Sequence, residues 1–288
     1  MFDTVDDDED SETFSRPRGC GVLNFHAGTE DALFLFLQNQ ITKDLIFDDH
    51  AERTDFILKL VDQFCYTRHW MMHIGDEKAS VLHAAILDAK TTQSFPNDGF
   101  VAVELGSYCG YSAAVIAKNL SFENGDMLYC IESNEKCVLY TQRLVDLCGL
   151  SNKVTVLNYP AESVEAWSRA IAVSEQQRRQ LSDSSAPPSS SYSCGVRLLF
   201  IDHSKDRYLL DLQRILENPN LLVPGCVVIA DNVLFMQPLH EYLRFVRDPL
   251  GPFIRSRLVE GTVEYSSRDS EPPAGLDIRD GMEISILR

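Results

Sequence analysis

Two short stretches of the chain carry hard oxygen donors just after apolar runs: Ile201-Asp202-His203-Ser204-Lys205 and Ala230-Asp231-Asn232. If both runs are strands joined by a right-handed crossover, they are neighbours about 4.8 Å apart. Asp202, Asp231 and Asn232 then converge at one rim. Two carboxylates and an amide oxygen, completed by water and substrate oxygens, form a hard octahedral site suited to Mg²⁺. Helix caps and hydrogen-bonded turns are the bland alternative for the same three residues. Lys205 lies three residues past the first carboxylate. A divalent cation beside it, with partial desolvation, favours the neutral amine that a general base needs; without the metal it reads as a solvated lysine at a helix start.

A third stretch is Glu104-Leu-Gly-Ser-Tyr-Cys-Gly-Tyr-Ser112. Gly106 and Gly110 let the backbone turn tightly into a helix and approach a ligand. The glycines are four apart and follow an acid, so this is not the dinucleotide fingerprint, and a nicotinamide oxidoreductase is disfavoured. An acid in this place suits a ligand with a cationic amino group; an ordinary strand-to-helix turn is the competing reading. Farther along, Ile131-Glu132-Ser133 puts a carboxylate where ribose hydroxyls are bound in nucleotide-binding sheets, although an acidic surface residue would look the same.

These stretches need a frame that brings strand ends together. Apolar runs at 100–105, 127–133, 153–158, 196–202, 226–231 and 282–287 alternate with helical patterns at 111–120, 135–150, 161–173, 206–218 and 238–248. Strands apolar on both faces and separated by helices predict an α/β fold, a doubly wound, mostly parallel sheet. Ligands bind beyond the carboxyl ends of such strands, where the strand order reverses. Upstream, residues 28–92 read as helices: Thr29 to Leu45, Ala51 to Tyr66 with Phe56, Ile57, Leu60, Val61, Phe64 and Cys65 on one stripe, and a third from near Asp76 to about Asp88. The expected domain is 28–288, preceded by an acidic tail over 1–27 that is too charged to fold. A Ser/Pro-rich loop is expected over 174–194, and a Pro/Gly-rich excursion runs from Ser266 to Gly275.

Composition narrows the class. With 26 basic and 43 acidic residues the net charge is −17, which disfavours a nucleic-acid binder. No apolar run approaches the ~18 residues that span a bilayer, and the acidic N-terminus has no secretory pattern. The 8 cysteines have neither C-x-x-C nor zinc spacing and read as reduced apolar filler in a cytoplasmic protein.

Taken in order, WMMHIGDEK, ELGSYCGYS, TQRLVDLCG, IDHSKDRY, ADNV and VEY…DGME resemble the catechol O-methyltransferase family, over residues 38 to 287. The resemblance implies a seven-stranded Rossmann-like methyltransferase fold with extra N-terminal helices. It also implies S-adenosylmethionine and Mg²⁺ as cofactors, a small-molecule catechol as substrate, and a monomer. By position, Met72, Ile74, Glu104, Gly106, Tyr108, Ser112, Glu132, Ser133, Glu162, Asp202 and His203 match the adenosylmethionine pocket. Asp202, Asp231 and Asn232 match the metal ligands, and Lys205 the base. Glu264 matches the carboxylate that binds the second hydroxyl, and Trp70 an aromatic wall of the catechol site. Three departures stand out: Tyr159-Pro-Ala-Glu162 replaces the adenine-contacting segment, Ser204 a tryptophan, and Met236 a proline gatekeeper. They keep two alternatives open, a caffeoyl-thioester or other phenolic O-methyltransferase and a binding protein without turnover.

Overall fold

A computed structural model describes residues 28–41, 46–92, 99–182, 195–219, 221–235, 239–265 and 279–288. The apolar runs form β1 (Val101–Leu105), β2 (Met127–Glu132), β3 (Val154–Asn158), β4 (Val196–Ile201) and β5 (Leu222–Ala230). These five are parallel to one another, and β7 (Arg279–Leu287) runs antiparallel to β5. The seventh strand, β6 (Phe253–Thr262), pairs antiparallel with β7 at the sheet edge. It did not figure among the six apolar runs because Arg255 and Arg257 interrupt it and only part of it is covered. The sheet order is β3-β2-β1-β4-β5-β7-β6.

Alternating strand residues feed two cores, as the period of two requires. Ala102, Leu128, Cys130, Leu198, Phe200 and Ile229 face α1 (Thr29–Gln40), α2 (His50–Thr67), α3 (Gly75–Thr92), α4 (Tyr111–Lys118) and α5 (Glu135–Cys148). Val103, Leu105, Ile131, Leu199, Ile201 and Val228 face α6 (Val164–Ser182), α7 (Tyr208–Glu217) and α8 (His240–Val246). Helix ends follow side-chain chemistry. Asp49 accepts from the Glu52 amide at 2.8 Å to start α2, and Asn134 caps α5 through the amides of Lys136 and Cys137.

Several expected boundaries move. The first helix stops at Gln40 rather than Leu45, with 42–45 outside the described residues, and the third runs on to Thr92. The loop expected from 174 is helical through Ser182, because α6 continues; its remainder, 183–194, the tail 1–27 and the whole excursion from Ser266 to Gly275 lie outside the described residues. Among the described residues, no helix is long and apolar enough to cross a membrane.

The chain builds β1, β2 and β3 outward on one side, then returns to add β4 and β5 on the other. The strand order therefore reverses between β1 and β4, the place where a parallel sheet opens a crevice. Leu105 is in register with Ile201, and Ile201 with Ala230. The next residues, Gly106, Asp202 and Asp231, thus share one rim.

Candidate active site

The turn from β1 to α4 is held against two neighbouring strands. The Gly106 amide donates to the Ile131 carbonyl at 2.9 Å. Gly106 has φ 83°, and a Cβ there would lie 2.5 Å from the Asp202 carbonyl oxygen. Its glycine is therefore required by contact between two strand tips as well as by the turn. Tyr108 also takes a left-handed φ of 48°, a strained conformation that the surroundings must hold. Its hydroxyl donates to Glu30 at 2.7 Å, which fastens the turn to α1.

Glu132 secures the same turn. Its carboxylate accepts the amides of Ser107 and Tyr108, each at 3.1 Å, and of Asn134 at 2.9 Å. Of about four lone-pair sites on a carboxylate, three are used in fixing the turn, so the expected ribose acceptor is also a structural clamp. Ser133 is exposed beside it.

Glu104 departs from the simple expectation of a carboxylate facing a cationic ligand. It is wholly buried, with the Ser112 hydroxyl donating to Oε1 and the Cys130 thiol to Oε2 at 3.1 Å. It therefore bears on the turn through Ser112, at the N-terminus of α4. Burial pushes its carboxyl up from 4.5 to about 7. The fold then binds the proton more tightly than the unfolded chain, and stability declines as pH rises from the unfolded value through the folded one. That cost is on the order of 3 kcal/mol at alkaline pH. Glu104→Gln should accordingly raise the melting temperature by several degrees at pH 8 and leave it nearly unchanged at pH 5. Equal shifts at both pH values in differential scanning calorimetry would contradict the assignment.

The other expected cofactor residues spread along the same rim. Ile74 is buried and Met72 half-buried in the segment before α3. His203 stacks on Tyr208 with ring centroids 5.2 Å apart and an interplanar angle of 20°. Its Nε2 lies 2.9 Å from Asp211 Oδ2. Burial would raise the Asp211 carboxyl, but His203 and Arg207 hold it below the usual range. The ring is aligned, and its Nδ1 stays buried without a hydrogen bond. Glu162 is exposed, and it meets Arg214 only through its backbone oxygen, at 3.5 Å. Ser204 donates to Asp206 at 2.6 Å rather than facing a ligand. Met236 lies outside the described residues.

Asp202 and Asp231 follow adjacent strands, and each side chain is buried or half-buried at the rim, with Asn232 next along. The Asp231 amide donates to the Ile201 carbonyl at 3.0 Å and the Asp202 amide to Leu105 at 2.9 Å. Burial raises both carboxyls, and the charge of Asp231 lifts Asp202 further; Asp231 reaches about 7. Lys205 opens the short turn before α7 and is an electrostatic neighbour of Asp202. Asn232 adopts φ 53°, and its amide nitrogen donates to Glu264 at 3.0 Å and Asp280 at 2.6 Å. Those two bonds orient the amide and leave its oxygen without a described donor. Asp231 Oδ1 is buried and has no partner. A buried carboxylate oxygen without a donor costs free energy unless a cation meets it. The donor set thus fits a hard divalent ion bound through oxygen.

The residue that sequence reasoning missed is Lys78. Its ammonium, 2% exposed, lies 2.8 Å from both Asp231 Oδ2 and Asp280 Oδ2, and it also bonds Glu264. Burial alone would push this amine down, but Asp231, Glu264 and Asp280 together hold it well above its ordinary value. A signal was present in the sequence: Lys78 falls on the buried stripe of α3 with Leu82, Ala85 and Ala89, where a charge demands a partner. Those partners are 153, 186 and 202 residues away. Trp70 joins the cluster by donating to the Glu264 carbonyl at 3.1 Å.

Comparison with known proteins finds methyltransferases. A family model described as a methyltransferase domain matches residues 103–233. Catechol O-methyltransferase of Mus musculus is 31% identical over 201 residues, 69% of this chain and 64% of the relative. Catechol O-methyltransferase B of Danio rerio is 29% identical over 243 residues, 83% of this chain and 75% of the relative. The chain therefore spans less than two thirds of the mouse protein's length. A crystal structure of a putative caffeoyl-CoA O-methyltransferase from Staphylococcus aureus matches with a TM-score of 0.51 at 15% identity. That match covers 90% of this chain and 99% of the other, and it establishes the fold. A methyltransferase domain model thus runs from β1 to the turn after β5, and the chain is similar to catechol O-methyltransferases over most of its length.

Proposed function

We propose that this protein transfers the methyl group of S-adenosylmethionine to one hydroxyl of a catechol, with a magnesium ion held by Asp202, Asp231 and Asn232. The reading rests on Asp231 Oδ1, a buried carboxylate oxygen with no donor, beside Asp202 and an amide oxygen turned free by Glu264 and Asp280. Bound there, the ion would supply Lewis acidity to the catechol oxygens. Lys205 takes the proton of the attacking hydroxyl on Nζ, and Glu264 accepts the hydrogen bond of the other. Trp70 walls the ring. Bound S-adenosylmethionine would supply the methyl from a sulfonium, with a thioether as the leaving group, so no side chain needs to form a covalent intermediate. The remaining contribution of the protein is alignment, for which ~7–11 kcal/mol is available. We place this activity in the cytoplasm, in a monomer; the described cysteines are buried free thiols.

A second substrate, a caffeoyl thioester, is kept open by Ser204, a small residue bonded to Asp206 where the family has a tryptophan. Incubation with radiolabelled S-adenosylmethionine and matched panels of free catechols and phenolic thioesters separates the two. Labelled catechol ethers with little thioester turnover are expected. Preferential thioester methylation would replace the catechol assignment.

A further inference from the structure

Asp231, Glu264 and Asp280 bring one carboxylate oxygen each within 4.8 Å of one another, all buried. Such a cage has the composition of a second divalent site beside the one formed by Asp202, Asp231 and Asn232. It is filled by Lys78. Asp231 is common to both: Oδ2 bonds the ammonium, while Oδ1 points away without a partner. We propose that Lys78 is the permanently held second cation of a two-cation centre, in which only the other position exchanges a metal ion. The inference rests on the metal reading given above.

Charge supports it. Four carboxylates (Asp202, Asp231, Glu264 and Asp280) face two ammonium groups, those of Lys78 and Lys205. The deficit equals the charge of one divalent ion, not two. Geometry adds a role for the lysine. One bond from Lys78 and one from the Asn232 amide, both to Glu264 Oε1, hold its carboxylate while Trp70 holds its backbone. Lys78 is thus a positioning residue. It commits one oxygen of Asp231 to itself and the other to the exchangeable ion, and it sets the carboxylate that receives the second phenolic hydroxyl. A lysine cannot be displaced by rising metal concentration as a bound ion can, so the shared ligand keeps one orientation whether or not metal is present.

Equilibrium dialysis and electron paramagnetic resonance with Mn²⁺ on the full chain test this directly. The wild type should bind one ion and Lys78→Met two, the second entering the vacated cage. One ion in both, with equal affinity, overturns the inference while leaving the metal reading intact. No ion in the wild type overturns both. Should Lys78→Met fail to fold, Lys78→Met/Asp280→Asn removes one charge of each sign and carries the test by kinetics. Catechol KM should rise about tenfold, the loss of one charge-assisted contact's worth of positioning, while the S-adenosylmethionine KM stays unchanged. A catechol KM equal to the wild type's would overturn the positioning role.

Discussion

Lys205→Met should lower the rate of methyl transfer by about 10²–10⁴-fold, the usual contribution of a general base, with S-adenosylmethionine binding unchanged. The lysine lies beside Asp202 at the rim, on the turn that opens α7, and makes no side-chain hydrogen bond with a described residue. Its removal therefore breaks no side-chain hydrogen bond to a described residue, and the fold should melt close to the wild-type temperature. Single-turnover kinetics with preloaded cofactor, alongside calorimetric titration of the cofactor, separates chemistry from binding. A fall in cofactor affinity matching the fall in rate would instead make Lys205 part of the binding pocket. Full turnover would leave the proton without an identified acceptor in the protein.

Lys78→Met should be the most destabilising single change in the site, by about 3–5 kcal/mol, as when one partner of a buried ion pair is lost. Three carboxylates would remain buried without their cation. Because the folded ammonium is held above its ordinary value of 10.5, its contribution is fully present below that pH and is lost only as pH rises through the folded value. Neutral-pH urea melts are thus well placed to read it. Lys78→Met/Asp280→Asn should recover much of the loss, since the uncompensated charge falls, and Mn²⁺ should stabilise Lys78→Met more than it does the wild type. If Lys78→Met proved as stable as the wild type, the ion cluster would contribute nothing to the fold.

How far the sequence reached depended on whether a signal was local. Each strand of the parallel core is a short run covered on both faces, such as Val101–Leu105 and Val196–Ile201, and such runs stand out from the helices between them. β6 is half-covered and carries Arg255 and Arg257, so its hydrophobicity is diluted and its pairing with β7 comes only from the tertiary structure. Asp202, Asp231 and Asn232 could be singled out because adjacent parallel strands end side by side and their first loop residues share one rim. Glu264 came only through family resemblance, since it follows the strand that periodicity did not find. Lys78 and Asp280 lay inside recognised motifs without a role, because a long-range ion pair leaves no spacing to read. The structural duties of Glu132 and Glu104, clamping the turn from β1 to α4 and holding Ser112, were likewise invisible before their partners were placed.

The central claim is that one hard cation on Asp202, Asp231 and Asn232 enables methyl transfer to a catechol. The most direct measurement is transfer of label from S-adenosylmethionine to catechol by the wild type and Asp202→Ala, each with Mg²⁺ and with chelator. Turnover confined to the wild type with Mg²⁺, and lost on chelation, is the expected result. Transfer at full rate by Asp202→Ala in the presence of chelator would contradict it.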